Sequence, residues 1–139
     1  MFIAAILKPE GTTHRVVRNL LMVTEVYAPE VLLEETEKHL VELAVKKDVP
    51  LKELQARMKL LEQAIRFVPA SQYERYLGAA VKLVKDLGDK WFAALALHLR
   101  EHHKQVVILT YNKRDYKVAE LQRENVIVLA PGEVNQANI

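Results

Sequence analysis

Apolar and polar positions along this chain follow two periods, and they alternate. Blocks at helical spacing are separated by short runs that are apolar or β-branched throughout. Phe2 to Leu7 (F-I-A-A-I-L) is an unbroken apolar run, which suits a buried strand or the first turns of a buried helix. Lys8 to Gly11 punctuates it. After Thr12 or Thr13 as cap, Val16, Val17, Leu20 and Leu21 share one helical side, with His14, Arg15 and Arg18 on the other. Val23 to Ala28 predicts a short strand. Pro29 suits the first position of a helix reaching about Lys47, acidic early and basic late, as the helix dipole favours. In a further helix, from Pro50 to about Arg66, Leu51, Leu54, Met58, Leu61 and Ile65 form one apolar stripe.

Arg66 to Pro69 reads as extended. Ser71 and Glu74 make an S-x-x-E capping box, which predicts a helix carrying Tyr73, Tyr76, Leu77, Ala80, Val81 and Val84 and ending at Gly88. Asp89 then opens a helix to about His102. Its stretch W-F-A-A-L-A-L has no polar residue, so most of its faces should be buried. Val106 to Thr110 is the clearest strand, and a polar loop carries the chain to Asp115. Tyr116 to Arg123 reads as a short helix and Val126 to Leu129 as a last strand. The alternation predicts an α/β fold with a mostly parallel central sheet flanked by helices. Residues 1–130 read as one domain and 131–139 as a flexible tail. The segment from Asp89 to Tyr116 organises the rest: helix, buried strand and polar loop, with an aspartate at each polar end. In open α/β sheets ligands gather beyond the carboxyl ends of strands, which is where Asp115 falls.

Composition narrows the picture. A chain of 139 residues, half of them apolar, can bury a real core. Lys and Arg number 20 against 18 Asp and Glu, and a net charge of +2 excludes a strongly basic nucleic-acid binder. With no cysteine there is no disulfide framework and no thiolate metal site, in keeping with the cytoplasm. No apolar run reaches the roughly 18 residues of a membrane span. Aspartate is scarce: Asp48, Asp86, Asp89 and Asp115 stand against 14 glutamates. Read singly, Asp89 and Asp115 are N-caps and Glu35 is an exposed helix residue. His98 and His102 read as solvated or interface histidines, and Trp91 and Phe92 as core. The stripe from Leu51 to Ile65 reads as core or, if its hairpin projects, as a dimer face.

Taken in order, these residues resemble the PIN domain, the small nuclease fold of VapC-type toxins. Glu35, in A-P-E-V-L-L-E-E, matches the family's helical glutamate. Asp89 with Ala93 and Ala94 matches D-x-x-x-A-A. Thr110, Asn112 and Asp115 match T-x-N-x-x-D-F, with Tyr116 in place of phenylalanine. The resemblance implies a metal-dependent endoribonuclease for single-stranded RNA, toxin-like or RNA-processing. It makes Glu35, Asp89 and Asp115 the catalytic ligands of Mg2+ or Mn2+. Thr110 and Asn112 would orient ligands or substrate, and Arg15, Arg18, Lys113 and Arg114 would hold phosphates. A homodimer and an antitoxin protein are the implied partners. The family's first-strand D-x-N motif has no match here, because F-I-A-A-I-L aligns just after that strand and no aspartate precedes Asp48. The first strand is therefore expected to be missing or replaced. The alternative function is a truncated or catalytically impaired PIN domain that binds RNA or protein.

Overall fold

A computed structural model describes residues 12–136, so the F-I-A-A-I-L run lies outside the described residues. The chain divides into two compact units at the step from Phe67 to Val68.

In the first unit, α1 spans Thr12–Val23, β1 Tyr27–Pro29, α2 Val31–Lys46 and α3 Leu51–Ala64, and the chain leaves through β2, Arg66–Val68. The stripe read from sequence becomes the core: Leu54, Met58 and Leu61 of α3 bury against Leu40 of α2, with Val17, Leu32 and Leu43 packed around them. Strand β1 pairs with β2, and the Arg66 amide extends the ladder to the Val26 carbonyl at 2.9 Å. The strand is shorter than Val23 to Ala28 and shifted later. Pro29 closes it instead of opening α2. Asp48 ends the α2 turn at φ 52, a left-handed conformation that Asp tolerates.

The second unit opens with two 3-10 turns, Ala70–Gln72 and Glu74–Tyr76, and the short helix α4, Leu77–Val81. The expected capping box does not form, since neither turn has a side-chain cap. The backbone bends at Tyr73, φ −127, whose ring is fully buried and meets Trp91 edge-on at 6.4 Å. Burial of that ring outweighs the local capping signal. Gly88 likewise ends no helix. It lies within a 3-10 turn, Leu87–Asp89, after the chain has already left α4.

Helix α5, Lys90–Leu99, carries the polar-free stretch Trp91 to Leu97, and Ala93 to Leu97 are all buried. Strand β3, Val106–Leu109, helix α6, Val118–Arg123, and strand β4, Val126–Leu129, complete a βαβ unit. β3 and β4 are parallel, Val106 opposite Val126 through Leu109 opposite Leu129, and the Thr110 amide extends the ladder to the Leu129 carbonyl. The α/β class with a parallel pair thus matches the sequence reading, and among the described residues the strands form two separate ladders. The stretch after Ala130, which has no sequence pattern, forms a 3-10 turn, Pro131–Gln136. Pro131 and Val134 are buried there, and the Glu133 carboxylate accepts from the Ala130 amide at 3.0 Å. Among the described residues no helix is long and apolar enough to cross a membrane.

Candidate functional site

Two loops of the second unit meet at the carboxyl end of β3. The first leaves α4 and runs through Val84 to Asp89. The second runs from Thr110 to Lys117. They are stitched together by backbone: Val84 and Tyr116 form an antiparallel bridge, the Lys85 amide donates to the Asp115 carbonyl at 2.6 Å, and the Lys117 amide donates to the Leu83 carbonyl at 2.9 Å. This stitch brings Asp86 and Asp89 beside Asp115. Carboxylate oxygens of the three aspartates lie within 4.8 Å of one another.

Neither Asp89 nor Asp115 is spent as a helix cap, whereas Asp86 caps the 3-10 turn Leu87–Asp89. Asp89 holds the N-cap position of α5, but its side chain makes no cap hydrogen bond. Asp115 sits in the 3-10 turn Lys113–Asp115, two residues before the Lys117 cap of α6. Asp86 accepts from the Gly88 amide at 3.0 Å, which uses one oxygen and shapes the D-L-G-D turn. Thr110 and Asn112 shape the other loop. Thr110 Oγ1 accepts from the Asn112 amide at 3.1 Å, and the Asn112 carbonyl accepts from the Asp115 amide at 3.0 Å.

The electrostatics follow from this crowding. Burial, reinforced by the charges of Asp86 and Asp115, pushes the Asp89 carboxyl above the usual carboxylate range, against a hydrogen bond from Tyr116 that favours the charged form. Tyr116 is buried, and burial together with the neighbouring Asp89 charge keeps its hydroxyl firmly protonated. At 4 Å two like charges repel by about 1 kcal/mol in water and about 4 kcal/mol at an effective dielectric of 20. A divalent cation relieves that repulsion, and three carboxylates offer the hard oxygen donors that Mg2+ and Mn2+ prefer.

Beside the trio lies an open groove of about 550 Å3 lined by Lys85, Lys113, Arg114 and Lys117, with Tyr116, Val118 and Glu120. Lys113 also pairs with Glu133 at 3.1 Å, and the hydrogen bond from the Ala130 amide, followed by this pairing, holds the Glu133 carboxyl below its usual range.

Of the acids read from sequence, the second unit therefore brings together Asp89 and Asp115. Glu35 belongs to the first unit, where it stands exposed on α2. Arg15 and Arg18 are exposed on α1 of that same unit. Lys113 and Arg114 line the groove. Sequence reasoning missed Asp86, Lys85 and Lys117. Asp86 lies three residues before Asp89, but the intervening Gly88 reads as a helix end, and that hides the turn joining them.

A family model described as PIN domain matches residues 1–101. No curated protein and no solved structure matches the chain.

Proposed function

Because this chain belongs to the PIN-domain family, a nuclease-type fold, we propose that it is a metal-dependent endoribonuclease acting on single-stranded RNA. The observation that carries the reading is the convergence of Asp86, Asp89 and Asp115 on one point, with their oxygens within 4.8 Å. These three would hold Mg2+ or Mn2+. When bound, the cation supplies a water nucleophile at neutral pH and charge stabilisation at the scissile phosphate. Lys85, Arg114 and Lys117 hold the adjoining phosphates of the strand in the groove. An open groove suits a flexible single strand threaded past the acids, and phosphate contacts fix its register without reading its bases.

Cleavage of a labelled single-stranded RNA in Mn2+ tests this directly. Wild type should cut, EDTA should stop it, and Asp89→Asn should lower the rate by at least about 100-fold, the scale of losing a transition-state contact. Equal cleavage by the variant sinks the reading. Glu35→Gln in the same assay tests the remaining acid named by the family resemblance.

A second reading is an impaired PIN domain that binds RNA without cutting. RNA binding without cleavage would select it. The toxin-like role brings an antitoxin partner into the proposal. Homodimer formation is supported by exposed apolar side chains on the first unit's helices, Val41 and Val45 on α2 and Leu60 on α3.

A further inference from the structure

We propose that Tyr111 is a stacking platform for an unpaired base of the RNA strand, and that it selects single strands over duplex at the acidic trio. This rests on the nuclease reading above. In the second unit the exposed large apolar side chains are Val81, Leu87 and Tyr111. Two of these stand on the two loops that meet at the trio: Leu87 follows Asp86, and Tyr111 precedes Asn112 on the way to Asp115. Tyr111 is 52% exposed, and it is the one exposed aromatic among the described residues. Its neighbours in kind are engaged. Tyr73 meets Trp91 edge-on, Tyr76 lies against the Arg75 guanidinium and the His98 ring, and Tyr116 is buried. The Tyr111 side chain makes no hydrogen bond, ion pair or ring contact among the described residues.

The backbone around Tyr111 is held on both sides. Before it, the Thr110 amide donates to the Leu129 carbonyl at 2.9 Å, and Thr110 Oγ1 accepts from the Asn112 amide at 3.1 Å, closing a turn over Tyr111. After it, the Asn112 carbonyl accepts from the Asp115 amide at 3.0 Å. A tyrosine on a braced turn offers a rigid face and loses little freedom when a ligand covers it. Cations follow at once, because Lys113 and Arg114 line the groove. The chain itself keeps the α-carbon of Tyr111 within about 7 Å of that of Lys113 and within about 14 Å of that of Asp115. An aromatic face beside such cations suits a single strand: the cations track the phosphates and the ring takes a base, whichever base it is. In a duplex the bases keep their faces stacked inside the helix, so only an unpaired strand can offer one. Stacking on Tyr111 thereby fixes the register of the strand against the trio.

The test is fluorescence anisotropy of the full-length chain in EDTA, with a short labelled RNA as single strand and as duplex, for wild type, Tyr111→Ala and Tyr111→Phe. Tyr111→Ala should bind the single strand about tenfold more weakly, the loss of one stacked base. Its salt slope and melting temperature should stay at the wild-type values. Tyr111→Phe keeps the ring and should bind as wild type does, and duplex binding should be equal in all three. A single abasic nucleotide walked along the strand gives a second readout. One position should weaken wild type and cost Tyr111→Ala nothing further. If wild type binds the strand and Tyr111→Ala binds it equally well, the stacking role is overturned and the nuclease reading stands. A loss that Tyr111→Phe shares in full, or that extends equally to duplex, overturns the role as well. If wild type neither binds nor cuts single-stranded RNA, the nuclease reading falls and this role falls with it.

Discussion

Asp89 stands under tension at the residue scale. It is half-buried beside two other carboxylates, and its pKa is raised for that reason. The folded state therefore binds the Asp89 proton more readily than the unfolded chain does. By linkage, its contribution to stability is greatest at low pH and is lost as pH rises from the ordinary carboxylate value through the raised one. In the metal-free protein, wild type should thus lose thermal stability relative to Asp89→Asn as pH rises from about 4 toward neutrality. At pH 7 the variant should be the more stable by on the order of 1 kcal/mol, the size of a like-charge contact at this spacing in water. Melting curves at several pH values, with and without Mg2+, check this. Added Mg2+ should stabilise wild type and leave the variant nearly unmoved. A wild type that outlasts the variant at every pH without metal would contradict the crowding.

The stitch between Val84 and Lys117 is the decisive feature among the elements, and it is backbone. Lys85 has two parts that act separately: its amide donates to the Asp115 carbonyl, and its side chain lines the groove. Lys85→Pro removes the amide and should cost about 1–3 kcal/mol, because it leaves the Asp115 carbonyl without its donor. It should also abolish Mn2+ binding. Lys85→Ala keeps the stitch and should bind Mn2+ as wild type does while binding RNA more weakly. Calorimetry and melting curves on the two variants separate the roles. The same stitch marks the limit of what the sequence conveys. α3 and β4 were legible because an apolar stripe or a β-branched run is a local signal. Asp89 and Asp115 were legible as a family pattern, and Asp86 was not. It gains its meaning from a pairing across about 30 residues that no periodicity records, and a glycine beside it mimics a helix end. The segment opened by Ser71 failed for the opposite reason. Its local signal was strong, and the burial of Tyr73 overrode it.

For the whole molecule, the charge balance decides how RNA would be held under the proposed function. A net charge of +2 on 139 residues gives little long-range pull on a polyanion. Affinity must then come from cations that touch phosphates, and Lys85, Lys113, Arg114 and Lys117 are gathered on one groove. Lys113 is already paired with Glu133, so three cations would carry most of the contact with a bound strand. Each phosphate neutralised on a single strand contributes about −0.7 to the slope of log affinity against log salt, which predicts a slope of about −2 for wild type. Replacing Lys85 and Lys117 together by alanine should reduce that slope to about −0.7 and weaken binding most at low salt. Glu133→Gln should do the reverse, releasing Lys113 to the strand and steepening the slope by up to about 0.7. Fluorescence anisotropy with a short labelled RNA, repeated across a salt series in EDTA to prevent cleavage, measures all three. A wild-type slope near zero would mean that the groove does not hold the strand. A slope much steeper than −3 would require cations outside it, and the exposed Arg15 and Arg18 of the first unit would be the next to replace.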